Sequence, residues 1–230
     1  MTEAEWLACR TSRTLLDFLR GDLTERKLRL IGCGCCRACR PEFKLAECGT
    51  ALAVAERIAD GVASQDEIAE GYRLASYARD MATGTMKGIP KRYKSPEAVG
   101  SSWAVYELVE MLERTEHFLH YLHEGVAGAL RSLAAIDRRP SADRAQQTRV
   151  IRDIVGNPFR PITCDPSWRT SDVMLLAQGI YDDRAFDRMP ILADALQDTG
   201  CDNDDILNHC RDTSLIHVRG CWVVDLVLGK

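Results

Sequence analysis

With 230 residues, 46% of them hydrophobic and 28% charged, the chain carries enough apolar material for one sizeable core or two smaller ones. A formal net charge of -4 and a pI near 5.8 argue against a general nucleic-acid binder and against a binder of anionic membranes. No apolar run approaches the roughly 20 residues of a spanning helix, and MTEAEWLACR lacks the apolar stretch of a secretory leader. A cytoplasmic location is therefore expected, with the ten cysteines reduced.

Apolar residues recur at helical spacing through almost the whole chain. The first helix is predicted over 6–19, ending at Gly21. Asp22 or Thr24 caps a second, with Leu28, Ile31, Cys35, Cys36 and Cys39 on one face and Pro41 as its stop. An alanine-rich helix follows over 43–58, closed by Gly61. Ser64 begins another that carries Ile68, Tyr72, Ala75 and Arg79. Residues 82–102, ATGTMKGIPKRYKSPEAVGSS, break the rhythm and read as a basic Gly/Ser/Pro-rich loop. A long helix is predicted over 103–133, a turn over 138–141 and a helix over 142–155. GNPFRP then forbids helix, with Gly156 as the cap. Short helices are predicted over 171–180, 186–199 and 204–211, with Pro190 confined to a first turn and Asp202 or Asn203 as the last cap. CWVVDLVL, 221–228, fits a buried helix or a strand equally. The predicted fold is all-α, a compact multi-helix bundle. It is read as one continuous unit or as two closely packed helical halves, 1–81 and 103–230, divided by the loop 82–102.

Chemistry-bearing residues gather in a few places. IGCGCCRACR, 31–40, holds four cysteines in seven positions. Zinc or an iron–sulfur cluster needs thiolates converging on one point, usually from paired turns. Cys35, Cys36 and Cys39 instead share a helix face with Leu28 and Ile31, and Cys33 lies well off it. Sulfur as core filler is the favoured reading. Arg26, Lys27, Arg29, Arg37 and Arg40 flank the stripe as a solvated or salt-bridged face. Glu113, His117, His120 and Glu124 form one helical stripe, read as an exposed polar face.

Near the C-terminus, Cys201, His209, Cys210, His217 and Cys221 lie within 21 residues. By ligand count this is the best zinc candidate, although no cofactor is required and core packing with hydrogen-bonded histidines is the favoured reading. Asp202, Asn203, Asp204 and Asp205 lack the glycine and distal glutamate of a calcium loop and read as a helix cap. Lys87, Lys91, Arg92 and Lys94 could meet an acidic partner. No phosphate loop, G-x-S-x-G or ordered triad is present.

MTEAEWLAC, LLDFLRG and RKLRLIGCGCCR at the start, IRDIVGNPFRP in the middle, and FDRMPILADALQDTGCDNDDILNHCR with HVRGCWVVDLVLGK at the end form long motifs. In these stretches the chain resembles a large paralogous family of uncharacterised planctomycete proteins. The resemblance is strong at both ends and poor over 60–140, and it implies no reaction, cofactor or site residue. The family pattern at the cysteine stretch is similar to FACACCRR: Cys33, Cys35 and Cys36 match, while Cys39 stands where an apolar residue is usual. That substitution fits packing.

The leading functional expectation is a non-enzymatic helical interaction or adaptor protein with a protein partner. The second is a zinc-binding or thiol-redox protein. The third is an enzyme whose site is assembled from scattered polar residues: Asp153, Asn157, Arg160, Asp187, Arg188, His217 and Arg219.

Overall fold

A computed structural model describes residues 1–39, 45–83, 102, 104–106, 126–129 and 140–230. Among them the fold is all-α, with no strand. The chain divides into two compact units, Met1–Thr148 and Arg149–Lys230. The dividing loop expected at 82–102 falls almost wholly outside the described residues, as do Lys87, Lys91, Arg92, Lys94 and the histidine stripe at 113–124. No helix among the described residues is long and apolar enough to cross a membrane.

The first unit opens with two helices where one was expected, α1 (Glu3–Ala8) and α2 (Ser12–Phe18). A capping box starts α1: the Thr2 hydroxyl accepts from the Glu5 N–H at 3.3 Å, and Glu5 accepts from the Thr2 N–H at 2.7 Å. The break falls at Cys9–Thr11. Both ends are extended, and the Cys9 thiol donates to the Thr11 carbonyl at 3.5 Å. Ser12 next donates its hydroxyl to Gln147 Oε1 at 2.7 Å, a partner distant in sequence that a continuous helix would hold differently. Trp6 is fully buried and tilts against Phe18.

Helix α3 (Glu25–Cys39) packs on α4 (Ala46–Ala59), and α4 on α5 (Gln65–Thr83). Every residue from 28 to 36 is buried, so the expected one-sided stripe is corrected to burial all round. Cys33 is as buried as Cys35 and Cys36. The reason lies in α6 (Pro140–Val155): the Cys35 thiol points at the Gln147 carbonyl, 3.9 Å away, and Gln146 donates to the Ala38 carbonyl at 2.9 Å. The helix thus has neighbours on two sides. Three of the flanking arginines, Arg26, Arg29 and Arg37, are salt-bridged, and Arg40 lies outside the described residues. Arg29 is buried and joins Glu25 at 2.9 Å, Arg26 joins Asp60 at 3.0 Å, and Arg37 forks onto the buried Glu56 at 2.6 and 3.0 Å.

Ser64 and Glu67 cap α5 reciprocally, at 2.8 and 3.2 Å. Gly71 sets the α4–α5 separation, because a Cβ there would meet Val54 Cγ1 at 2.8 Å. Gly71→Ala gains about 1 kcal/mol of helix propensity but overpacks the contact, which costs about 1–3 kcal/mol. A net loss of stability is expected in urea melts, and Val54→Ala in the same chain should restore it.

The second unit holds the end of α6 and four further helices: α7 (Ser171–Asp183), α8 (Met189–Asp198), α9 (Asp204–Arg211) and α10 (Trp222–Leu228). Helix α7 packs on α8 and α10, and α8 on α9. Residues 186–199, expected as one helix, begin with a 3-10 turn over Phe186–Arg188, and Pro190 sits in the first turn of α8. Asn203 caps α9, its Oδ1 accepting the Ile206 N–H at 3.1 Å, so the acidic loop is a cap as expected. The ambiguous 221–228 segment is helix. Val223, Val224 and Val227 face one core, and Gly229 ends the helix at φ +70°.

Candidate metal centre

Four segments of the second unit converge on one point. Asp153 comes from the last turns of α6, where it is the single acid among the buried Val150, Ile151 and Ile154. His209 lies on α9, His217 in the connection that follows, and Cys221 is the N-cap residue of α10. One ligand atom from each lies within 4.8 Å of all the others. His217 Nδ1 is 2.8 Å from Asp153 Oδ1, and His209 Nε2 is 3.2 Å from the same oxygen. His209 Nε2 is 3.3 Å, and His217 Nδ1 3.8 Å, from Cys221 Sγ. Zinc bonds of about 2.0 Å to N or O and about 2.3 Å to S, at tetrahedral angles, set donors roughly 3.3–3.5 Å apart. These four separations bracket that spacing, and the remaining pairs lie within 4.8 Å.

The surroundings support the donors. The second carboxylate oxygen, Asp153 Oδ2, accepts the Val218 N–H at 2.9 Å, which leaves Oδ1 as the inward donor. His209 and His217 meet edge to face, and the Trp222 ring tilts over His209 at 5.1 Å. The histidines keep only 12% and 6% of their side-chain surface, and Cys221 none. Burial alone would raise the Asp153 carboxyl. Hydrogen bonds and electrostatic attraction from His209 and His217 outweigh it and hold the group below its usual range. Burial pushes the Cys221 thiol well up, Asp153 and Cys210 add to that, and the N–H groups of Val223 and Val224 pull the other way. Without a cation this sulfur stays a thiol; a bound divalent ion reverses that balance.

The geometry separates a ligand set from a catalytic relay. In a Cys–His–acid triad the imidazole contacts the nucleophile through one ring nitrogen and the acid through the other. Here each histidine turns a single nitrogen toward both sulfur and carboxylate, Nε2 for His209 and Nδ1 for His217. The Cys221 thiol is buried, and burial pushes it away from the thiolate form.

Of the sequence candidates, the structure brings together His209, His217 and Cys221. It leaves Cys201 and Cys210 in the neighbouring hydrophobic core. One residue round the helix from His209, Cys210 faces inward, and burial pushes its thiol up to about 12. Asp153, read from sequence only as part of a scattered enzyme site, is the fourth donor. The signal for it is an unaccompanied acid inside an apolar helix face. Two of the other scattered residues make contacts elsewhere. Asn157 Oδ1 accepts the Phe159 N–H at 3.1 Å, and Arg219 lies over the Tyr181 ring at 4.5 Å. A cleft of about 400 Å³ beside the centre includes His217 and Asp187 in its lining, but neither Arg160 nor Arg188.

Gly156 closes α6 at φ +73°, and a Cβ there would meet the Trp222 ring at 3.2 Å. Gly156→Ala therefore strains the backbone by about 1–2 kcal/mol and displaces the indole that covers His209. The expected result is lower stability together with weaker metal retention, read by a melt and a competition titration with a chelator.

Comparison with family models, with curated proteins and with solved structures gives no match. The fold and the site therefore define the class by themselves. This is an all-α protein whose second unit carries a four-residue cluster able to hold a metal ion.

Proposed function

We propose that residues 149–230 form a zinc-stabilised helical module within a non-enzymatic, cytoplasmic interaction protein. The observation that carries this reading is the convergence of four donors from four separate segments, Asp153 and Cys221 buried and the two histidines mostly so. Two imidazoles, one thiolate and one carboxylate suit zinc above the harder divalent ions. Four protein donors leave no open position for water or substrate, which is the signature of a structural site. Zinc there ties α6, α9, the 212–218 connection and the start of α10 to one point. All four donors also fall inside the stretches on which the planctomycete resemblance rests, and we extend the zinc reading to chains sharing them. The interaction role is supported by Leu175 and Ile191, 72% and 57% exposed on the neighbouring helices α7 and α8.

Elemental analysis of the purified full chain, refolded or grown with zinc under reducing conditions, tests the reading. One zinc per chain is expected, lost in Asp153→Ala, His209→Ala and Cys221→Ser and kept in Cys201→Ser and Cys210→Ser. Zinc absent from the wild type, or indifferent to the first three changes, would refute it.

A further inference from the structure

We propose that the cleft beside the metal centre takes a lysine or arginine side chain presented by a protein partner. The proposal rests on the interaction role above and gives that role a chemistry. At about 400 Å³ the cleft lies at the small end of ligand pockets, about 300–1,000 Å³, enough for a side chain and its backbone but not for a helix. Its walls are apolar: Phe186, Met189, Pro190 and Leu215. Its carboxylates are Asp187 and Asp212, its other polar residues are Thr213 and His217, whose Nδ1 turns to the metal centre, and no Lys or Arg among the described residues lines it.

Both carboxylates have capacity to spare. Asp187 is exposed and makes no hydrogen bond or ion pair among the described residues. Asp212 commits Oδ1 to the N–H and hydroxyl of Ser214, at 2.9 and 2.6 Å, and that turn holds the carboxylate in place. An apolar trough with an acidic rim matches a side chain that lays a hydrocarbon stem on apolar surface and keeps a cationic head in water. The Phe186 ring in the wall adds a face for the cation.

Charge over the whole unit points the same way. Residues 149–230 contain nine Arg and Lys against thirteen Asp and no Glu, while the rest of the chain balances at 21 of each sign. The full net charge of -4 thus sits on the unit that carries the cleft. That field attracts a basic partner and raises its rate of encounter.

The test titrates the full-length protein, with and without zinc, using the N-acetyl, N′-methylamide derivatives of lysine, arginine and norleucine. Binding is followed by amide NMR shifts at Thr213 and Leu215. Lysine and arginine derivatives are expected to shift these amides, and norleucine, with a stem but no charge, to bind several-fold more weakly. Asp187→Asn should weaken the two cations about 1.5-fold to fivefold, the range of an exposed ion pair, and leave norleucine unchanged. Equal binding of norleucine and lysine, an unaltered affinity in Asp187→Asn, or no shift at these amides would overturn the proposal. Zinc content is measured separately on the same samples, so failure of the zinc reading and failure of the cleft are distinguishable.

Discussion

Stripping zinc from the full chain is expected to lower its unfolding free energy by about 4 kcal/mol, relative to protein held with free zinc a thousandfold above its dissociation constant. The effect is mass action. The donor set exists only when Asp153, His209, His217 and Cys221 are brought within 4.8 Å of one another, so the ion binds the folded unit and not the open chain. Urea melts with zinc and with a chelator measure the difference. In Asp153→Ala the two curves should coincide, and the variant should behave as the chelated wild type. Superimposable curves for the wild type would contradict the account. Thiol accessibility gives an independent readout: chelation should expose Cys221 to a thiol reagent, while Cys33, Cys35 and Cys36, buried in the first unit, should stay slow.

The second large effect concerns the first unit. Arg37→Met is expected to destabilise the protein by about 3 kcal/mol, because it removes the guanidinium fork from a carboxylate that is 1% exposed. Burial opposes the charge on Arg37, yet hydrogen bonds and attraction from Glu56 raise its pKa above the ordinary value. Replacing both residues, Arg37→Met with Glu56→Met, should recover most of the loss, since a hydrocarbon contact needs no desolvated charge. A double variant no better than the single one would show that Glu56 is held by other contacts.

Much of the helical framework is legible in the sequence because its punctuation is local. Ser64 ahead of α5, Asn203 ahead of α9, and Gly61 and Gly156 at positive φ all act within one turn of the residues they serve. The α1–α2 break was not legible, since the partner of Ser12 is Gln147, 135 residues away. For the same reason the cysteine helix α3 reads as one-sided: its second neighbour, α6, comes from far along the chain. The metal centre was half legible. His209, His217 and Cys221 cluster in sequence, and their count marks the region. Which sulfur joins them depends on helix rotation, which turns Cys210 into the core and leaves Cys221 at a helix start. Asp153 arrives from 56 residues upstream of His209, and only its isolation on an apolar face announces it.

Zinc-edge X-ray absorption on the zinc-loaded full chain addresses the central claim most directly. The account predicts a four-coordinate ion with one sulfur at about 2.3 Å and three nitrogen or oxygen donors at about 2.0 Å, with the sulfur scatterer lost in Cys221→Ser. A shell with two or more sulfurs, or six oxygens and none, would contradict it.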